Sequence, residues 1–261
     1  MVTIPSRAVA ESFGEDASHY DRARPRYPQA LVNRVLHGLP GRTVLDVGCG
    51  TGIAARQFQE AGCEVLGVEP DRRMAEFAAE RGLPVEIAKF EDWDPTGRTF
   101  DALIAGMTWH WVDPTRGAAQ AASVVRPGGR VALFWNAFQL PPDLAAAFAE
   151  VYARLLPDHP MYQHGLKAGR DLYAPFLAST ADVLRVTGAF EDAEQWHFDW
   201  QQTYTRDQWV DLAPTFGGHA LLPKDTVARL MNEVGEAVDK AGGSFVIDYR
   251  TVAVAALRKK D

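Results

Sequence analysis

The chain has 261 residues, with 27 basic and 34 acidic side chains, a net charge of −7, 47% apolar and 23% charged residues. Such a composition can bury a sizeable core without staples and excludes disorder of the whole chain. An acidic balance also argues against avid binding to a phosphate backbone, which needs clustered Lys and Arg; the one tight basic cluster, Arg258-Lys259-Lys260, reads as a solvated tail.

The opening stretch MVTIPSRAVAESFGED has no apolar h-region, and no run approaches the length of a transmembrane helix, so neither a signal peptide nor a membrane partner is expected. Phe13 to Pro28 is dense in aromatics and arginine. It reads either as a packed arm or as a lid over a pocket, with Tyr20, Arg22, Arg24, Arg26 and Tyr27 as donors. From Thr43 onward short β-rich runs alternate with helical ones. Thr43 to Val47 is a strand ending at glycines, Thr51 to Ala61 a helix, Glu64 to Val68 a strand, and Arg72 to Arg81 a helix stopped by Gly82. Strands follow at Pro84 to Ala88, Phe100 to Ala105 and Arg130 to Trp135, with a helix from Thr115 to Val125 before the last. Continuous apolar strands alternating with helices predict a doubly wound, mostly parallel α/β sheet. After Trp135 the rhythm changes. Helices are expected over Pro141 to Leu156 and Asp225 to Lys240, with long strands at Glu191 to Thr205 and Ser244 to Leu257. These two strands would form an antiparallel edge, with Gln139 to Ala189 and Arg206 to Ala241 inserted over one rim. The two cysteines, Cys49 and Cys63, lie in no metal-ligand spacing, no metal site is expected, and two thiols in a chain of this size suit a reducing cytoplasm.

The most informative stretch is VLDVGCGTG, Val44 to Gly52, followed by Glu69 at the end of the second strand. Ligands of open parallel sheets bind beyond the carboxyl ends of the strands. Glycines there let the backbone approach a ligand closely, and the next helix aims its N–H groups at it. A carboxylate at position 69 can accept hydrogen bonds from both hydroxyls of a ribose. The glycine spacing puts the third glycine at Gly52, where a dinucleotide fingerprint would put it at position 53.

D-x-G-C-G-T-G resembles motif I of the class I S-adenosylmethionine-dependent methyltransferases. The resemblance covers at least Val44 to Trp135 and takes in Glu69 and the R-P-G-G at Arg126 to Gly129. YDRARPRYP (Tyr20 to Pro28) and WHWVDP (Trp109 to Pro114) look like a small-molecule subgroup, with trans-aconitate methyltransferase-like members as the nearest comparison. The resemblance implies a Rossmann-like seven-stranded sheet whose final strand lies antiparallel between the fifth and sixth, with helical cap insertions. Residues 1–40 would be an N-terminal helical arm or lid, 41–138 the cofactor-binding half, and 139–261 a half carrying the cap and the last two strands of one structural domain. S-adenosylmethionine would be the cofactor and S-adenosylhomocysteine the product. Gly48 and Gly50 would line its methionine and ribose, Asp46 would orient it, and Glu69 would hold the ribose hydroxyls. Met74 would pack near adenine, with Phe90 or Glu91 at the adenine edge where Lys89 stands in place of the acid common in the family. The Ala105 carbonyl would meet the amino group, and Tyr20 with Arg24 would close over the carboxylate.

Methyl transfer is an in-line displacement that needs alignment, a dry pocket and, for some acceptors, removal of a proton. His110 is the candidate base, with His19 and His219 as weaker ones; equally, His110 simply packs beside Trp109 and Trp111. Trp109, Trp111, Trp135 and Phe138, with Tyr162 and Phe216, are expected either to wall an aromatic substrate chamber or to be plain core. No N-P-P-Y or D-P-P-Y follows the fourth strand, no proline-cysteine nucleophile is present, and no carboxylate cluster suggests magnesium. The expected activity is therefore metal-independent methyl transfer to a small molecule by a cytoplasmic protein that binds neither nucleic acid nor membrane. The alternatives are a non-catalytic nucleoside-binding module on the same fold and, further off, an NAD(P)-dependent oxidoreductase. The acceptor atom and the oligomeric state are left open.

Overall fold

A computed structural model describes residues 9, 12–159, 166 and 169–260. Strands β1 (Thr43–Val47), β2 (Glu64–Glu69), β3 (Val85–Ile87), β4 (Phe100–Gly106), β5 (Val125–Gln139), β6 (Glu194–Thr205) and β7 (Ser244–Leu257) form one sheet in the order β3-β2-β1-β4-β5-β7-β6. β1 to β5 pair in parallel, and β7 runs antiparallel to both β5 and β6. This is the Rossmann-like order expected, with the last strand inserted beside the edge.

The sheet is covered on both faces, as its continuous apolar strands require. On one face lie α2 (Gln29–Leu36), α3 (Ile53–Glu60) and α4 (Arg72–Glu80), through Leu31, Val35, Phe58 and Ala78. On the other lie α5 (Pro114–Val124) and α7 (Ala174–Val186), through Ala118, Ala121, Leu177 and Leu184. Strand order reverses between β1 and β4, the place where an open parallel sheet takes its ligand, at the carboxyl ends of the strands.

A third apolar cluster makes a cap. It joins α6 (Pro142–Leu155), α8 (Arg206–Leu212) and α9 (Lys224–Lys240) to the outer ends of β5 and β7, through Phe148, Trp209, Val234, Phe245 and Tyr249. β5 and β7 are long enough to serve both layers. Ala132 pairs with Ala255 in the sheet, while Phe138 pairs with Tyr249 inside the cap. Helix α1 (Ala17–Ala23) and the short turn before it, Phe13–Asp16, lie across the top.

Several boundaries moved for local reasons. Helix α3 starts two residues late because Gly52, at φ 86°, forms its left-handed N-cap. β5 starts at Val125, ahead of the expected Arg130, because Arg126-Pro127-Gly128-Gly129 is absorbed as an irregularity in the pairing with β4 between Phe100 and Ala102. β6 starts at Glu194 rather than Glu191. Helices α7 and α8 were not foreseen; α8 starts from a reciprocal cap in which Thr205 and Gln208 exchange side chain–backbone bonds. Tyr162 lies outside the described residues. No described helix is long and apolar enough to cross a membrane.

Candidate cofactor cleft and acceptor chamber

The loop after β1 is fixed by three left-handed glycines, Gly48 (φ 58°), Gly50 (φ 55°) and Gly52 (φ 86°). Gly48 N–H donates to the Val68 carbonyl at 2.7 Å, holding the loop against β2. Its own carbonyl accepts from Thr108 Oγ1 at 3.0 Å, which ties the end of β1 to the segment after β4. A Cβ at Gly48 would collide with the Thr108 methyl, in a backbone conformation L-residues avoid. Gly48→Ala is therefore expected to cost about 2 kcal/mol or more, read as a lower urea midpoint; an unchanged midpoint would refute this account of the loop.

Glu69 ends β2 and is 7% exposed. Its Oε2 accepts from Gly50 N at 2.8 Å and its Oε1 from Asp71 N at 2.9 Å. Burial raises its pKa to about 7, although both amides pull it down. Asp46, in β1, is 1% exposed, and neither of its carboxylate oxygens has a hydrogen-bond partner among the described residues. Burial is the main cause of its pKa of about 8; the Ala55 amide draws it down without reaching hydrogen-bond geometry, and Glu69 pushes it up. Two buried acids thus face one glycine loop, one of them with no partner. Such a carboxylate calls for a bound donor or cation. The donor set fits S-adenosylmethionine, whose ammonium and ribose diol are both groups that donate to a carboxylate.

Met74 is buried, and its sulfur lies 3.7 Å from where a Cβ at Gly50 would sit, so it belongs to the same rim. Ala105 is fully buried in β4. Phe90 is buried in a short turn after β3 and packs on Trp109 at 6.0 Å. The Glu91 carboxylate is drawn away from the loop, since Oε1 accepts from Asp113 N at 2.7 Å beside the start of α5.

The N-terminal arm bridges the sheet and the cap. Arg56 pairs with Asp21 at 2.6 Å, and Gln57 exchanges two hydrogen bonds with the Tyr27 backbone at 2.8 and 2.9 Å. On the cap side, Arg22 meets Asp211 at 3.2 Å and Arg24 Nη2 donates to the Thr215 carbonyl at 2.7 Å. His19 binds the Asp211 carbonyl at 2.6 Å and so serves the arm. Arg24 lies against the rings of Tyr20 and Phe216, 5.0 and 5.2 Å from their centres, and its Nε is buried with no partner among the described residues. Tyr27 was read from the sequence only as a donor of the arm, and the structure brings it to the same rim. Its hydroxyl lies 2.6 Å from where a Cβ at Gly106 would stand, and both Asp46 and Arg24 act on it electrostatically. The signal available was its place in the same Arg- and Tyr-rich run as Tyr20 and Arg24.

The expected aromatic chamber is divided. Trp109 and Trp135 are buried in the sheet's core at 5% and 0% exposure, whereas Trp111 is half-buried between Phe13 and His110. Phe138 and Phe216 stack 5.5 Å apart in the cap. His110 is partly buried near Trp111, Tyr173 and Phe176, and Trp135 Nε1 donates to its Nδ1 at 3.1 Å. Burial lowers its pKa to about 4. His219 is fully buried beside Tyr152 and His159, bonded to the Tyr152 hydroxyl at 2.7 Å. Among the described residues no three His, Cys, Asp or Glu side chains assemble as a metal-holding group.

A reversed parallel sheet with acids at the ends of β1 and β2 and a glycine loop between them defines a Rossmann-like nucleoside-binding fold of the methyltransferase type. The family comparison agrees: residues 20–240 match the model of a methyltransferase domain, and the chain belongs to that family. An uncharacterized methyltransferase of Mycobacterium bovis is 36% identical over 138 residues, which is 52% of this chain and 56% of that protein, so the chain spans little more than half the length of such relatives. A malonyl-[acyl-carrier protein] O-methyltransferase of Pseudescherichia vulneris is 31% identical over 209 residues, 74% of this chain and 77% of that one. Among solved structures, a proposed type II methyltransferase from Anaeromyxobacter dehalogenans superposes with a TM-score of 0.66 at 21% identity, covering 91% of this chain and 99% of its own, a likeness of fold.

Proposed function

We propose that this protein transfers a methyl group from S-adenosylmethionine to a small-molecule acceptor without a metal ion. The observation that carries this reading is the buried acid pair, Asp46 and Glu69, around the left-handed loop Gly48–Gly52. When bound, the cofactor supplies a methyl group on a sulfonium. Asp46 holds the ammonium of its amino-acid part, and Glu69 accepts from the ribose hydroxyls while keeping Gly50 N–H in place. Met74 and Phe90 offer apolar contact to the adenine, Gly48 and Gly50 give close backbone to the methionine and ribose, and the Ala105 carbonyl meets the amino group. Tyr20, Arg24 and Tyr27 close the arm over the methionine end and exclude water, with Trp111 at the mouth. Phe138 and Phe216 give the acceptor an apolar wall.

Calorimetric titration with S-adenosylhomocysteine tests this. Wild type should bind, and Glu69→Ala should bind at least about tenfold more weakly, since two hydrogen bonds to a charged group are lost together with the brace on Gly50. Equal affinity would remove Glu69 from the site. Screening pools of small acids, phenols, amines and thiols for release of S-adenosylhomocysteine then finds the acceptor.

A further inference from the structure

Within the methyltransferase reading, we propose that His110 serves the acceptor as a hydrogen-bond donor through Nε2–H, its tautomer fixed by Trp135, and that it takes an oxygen lone pair of the acceptor rather than a proton.

The geometry carries the argument. An indole N–H can only donate, so the 3.1 Å contact from Trp135 Nε1 requires a bare Nδ1 on His110. A neutral imidazole with a bare Nδ1 holds its proton on Nε2. To act as a base at Nε2, the ring would first have to move that proton to Nδ1, against the indole N–H. To become an imidazolium, it would again set two N–H groups face to face. Trp135 is fully buried in β5 and stacks on Tyr173 at 6.0 Å, so it cannot turn aside without disturbing the core. The lowered pKa agrees with a ring that stays neutral.

Position makes this donor relevant to the acceptor. His110 stands in the short turn Trp109–Trp111, two residues beyond the Thr108 that grips the Gly48 carbonyl. Its Nε2 meets no protein partner among the described residues, and the half-buried residue sets its ring between Trp111, Tyr173 and Phe176. An N–H there can hold a carbonyl or carboxylate oxygen beside the reacting atom. Trp135 is then a positioning residue that never touches the substrate.

The test uses the full chain with ring-labelled ¹⁵N-histidine, saturated with S-adenosylhomocysteine, with His110 assigned by His110→Gln. The expected spectrum shows a protonated Nε2 and a bare Nδ1 from about pH 8 to about pH 5.5. A proton on Nδ1, or titration near the ordinary histidine value, overturns the proposal. In Trp135→Phe, which keeps an aromatic ring but removes the N–H, the proton should spread over both nitrogens and the ring should begin to titrate; an unchanged spectrum overturns the role of Trp135. Acetate, an oxygen acceptor, should move the Nε2–H resonance downfield saturably, and ethylammonium should not. No response to acetate, or equal responses to both, refutes the donor role. Failure of the cofactor reading shows separately, as absence of S-adenosylhomocysteine binding in the calorimeter.

Discussion

Affinity for S-adenosylhomocysteine is expected to climb about a hundredfold or more as pH rises from about 6 to about 8, with protons released on binding. At the lower pH the free protein keeps a proton on Asp46, whose pKa is about 8, and on Glu69, whose pKa is about 7. An ammonium and a diol both favour the anionic carboxylates, so binding must expel those protons and weakens as pH falls below each value. Titrations in two buffers of different ionisation heat measure the protons directly. Heats that differ at about pH 6 and converge above about pH 8.5 are the expected pattern. Asp46→Asn should flatten the upper part of the curve. An affinity independent of pH would show that the acid pair does not face the ligand.

The same acids should make the unliganded protein less stable, by about 2 kcal/mol, as pH rises from about 6.5 to about 8. A folded-state pKa raised above the unfolded value gives stability that is present at low pH and lost as pH rises through the folded value. The unfolded chain gives up both carboxyl protons near pH 4, whereas the fold keeps them to about 7 and about 8. His110 and His219 act with the opposite sign. Burial holds both near 4, so the unfolded chain binds their protons first and stability falls as pH drops below about 6.5. His219 also feels His159 and Arg24, and both disfavour its protonation. Below about pH 7.5 the histidines and carboxylates oppose each other, and above it the carboxylates act alone. Urea unfolding at the two pH values should show the loss, and S-adenosylhomocysteine or Asp46→Asn should remove most of it. Equal stabilities of the free protein at both values would contradict the burial of Asp46.

The sheet was legible because its parallel strands are apolar runs punctuated by glycine, and that signal is local. The glycine loop and Glu69 were legible for the same reason, as spacing alone brings positions 48 to 52 beside the end of the second strand. What the sequence did not show depends on distant pairs. Trp135 and His110 are far apart in the chain, and only the pairing of β4 with β5 sets the indole against the imidazole. Trp109 and Trp135 were grouped with Trp111 and Phe138 by residue type, but the short turn after β4 directs Trp109, and the pleat of β5 directs Trp135, into the core. Helix α8 was hidden because Thr205, its cap, also ends a long strand. Tyr27 entered the reading as an arm donor, and its nearness to Asp46 follows from the Gln57 clasp, which no local pattern announces.

The continuation of β5 and β7 from the sheet into the cap limits how the cap can move. The residues flooring the cleft and those walling the cap are successive members of one hydrogen-bonded ladder, from Ala132–Ala255 out to Phe138–Tyr249. The cap therefore has no hinge of its own on that side, and swinging it outward would tear main-chain pairing. The arm is held differently. Arg22 with Asp211 and Arg26 with Glu60 are solvent-facing pairs, the kind that contribute little and that dissolved salt weakens further. Dissolved salt would loosen those two pairs first, whereas the half-buried Arg56–Asp21 pair and the hydrogen bonds of Arg24 to Thr215 and of Gln57 to Tyr27 hold the arm independently of them.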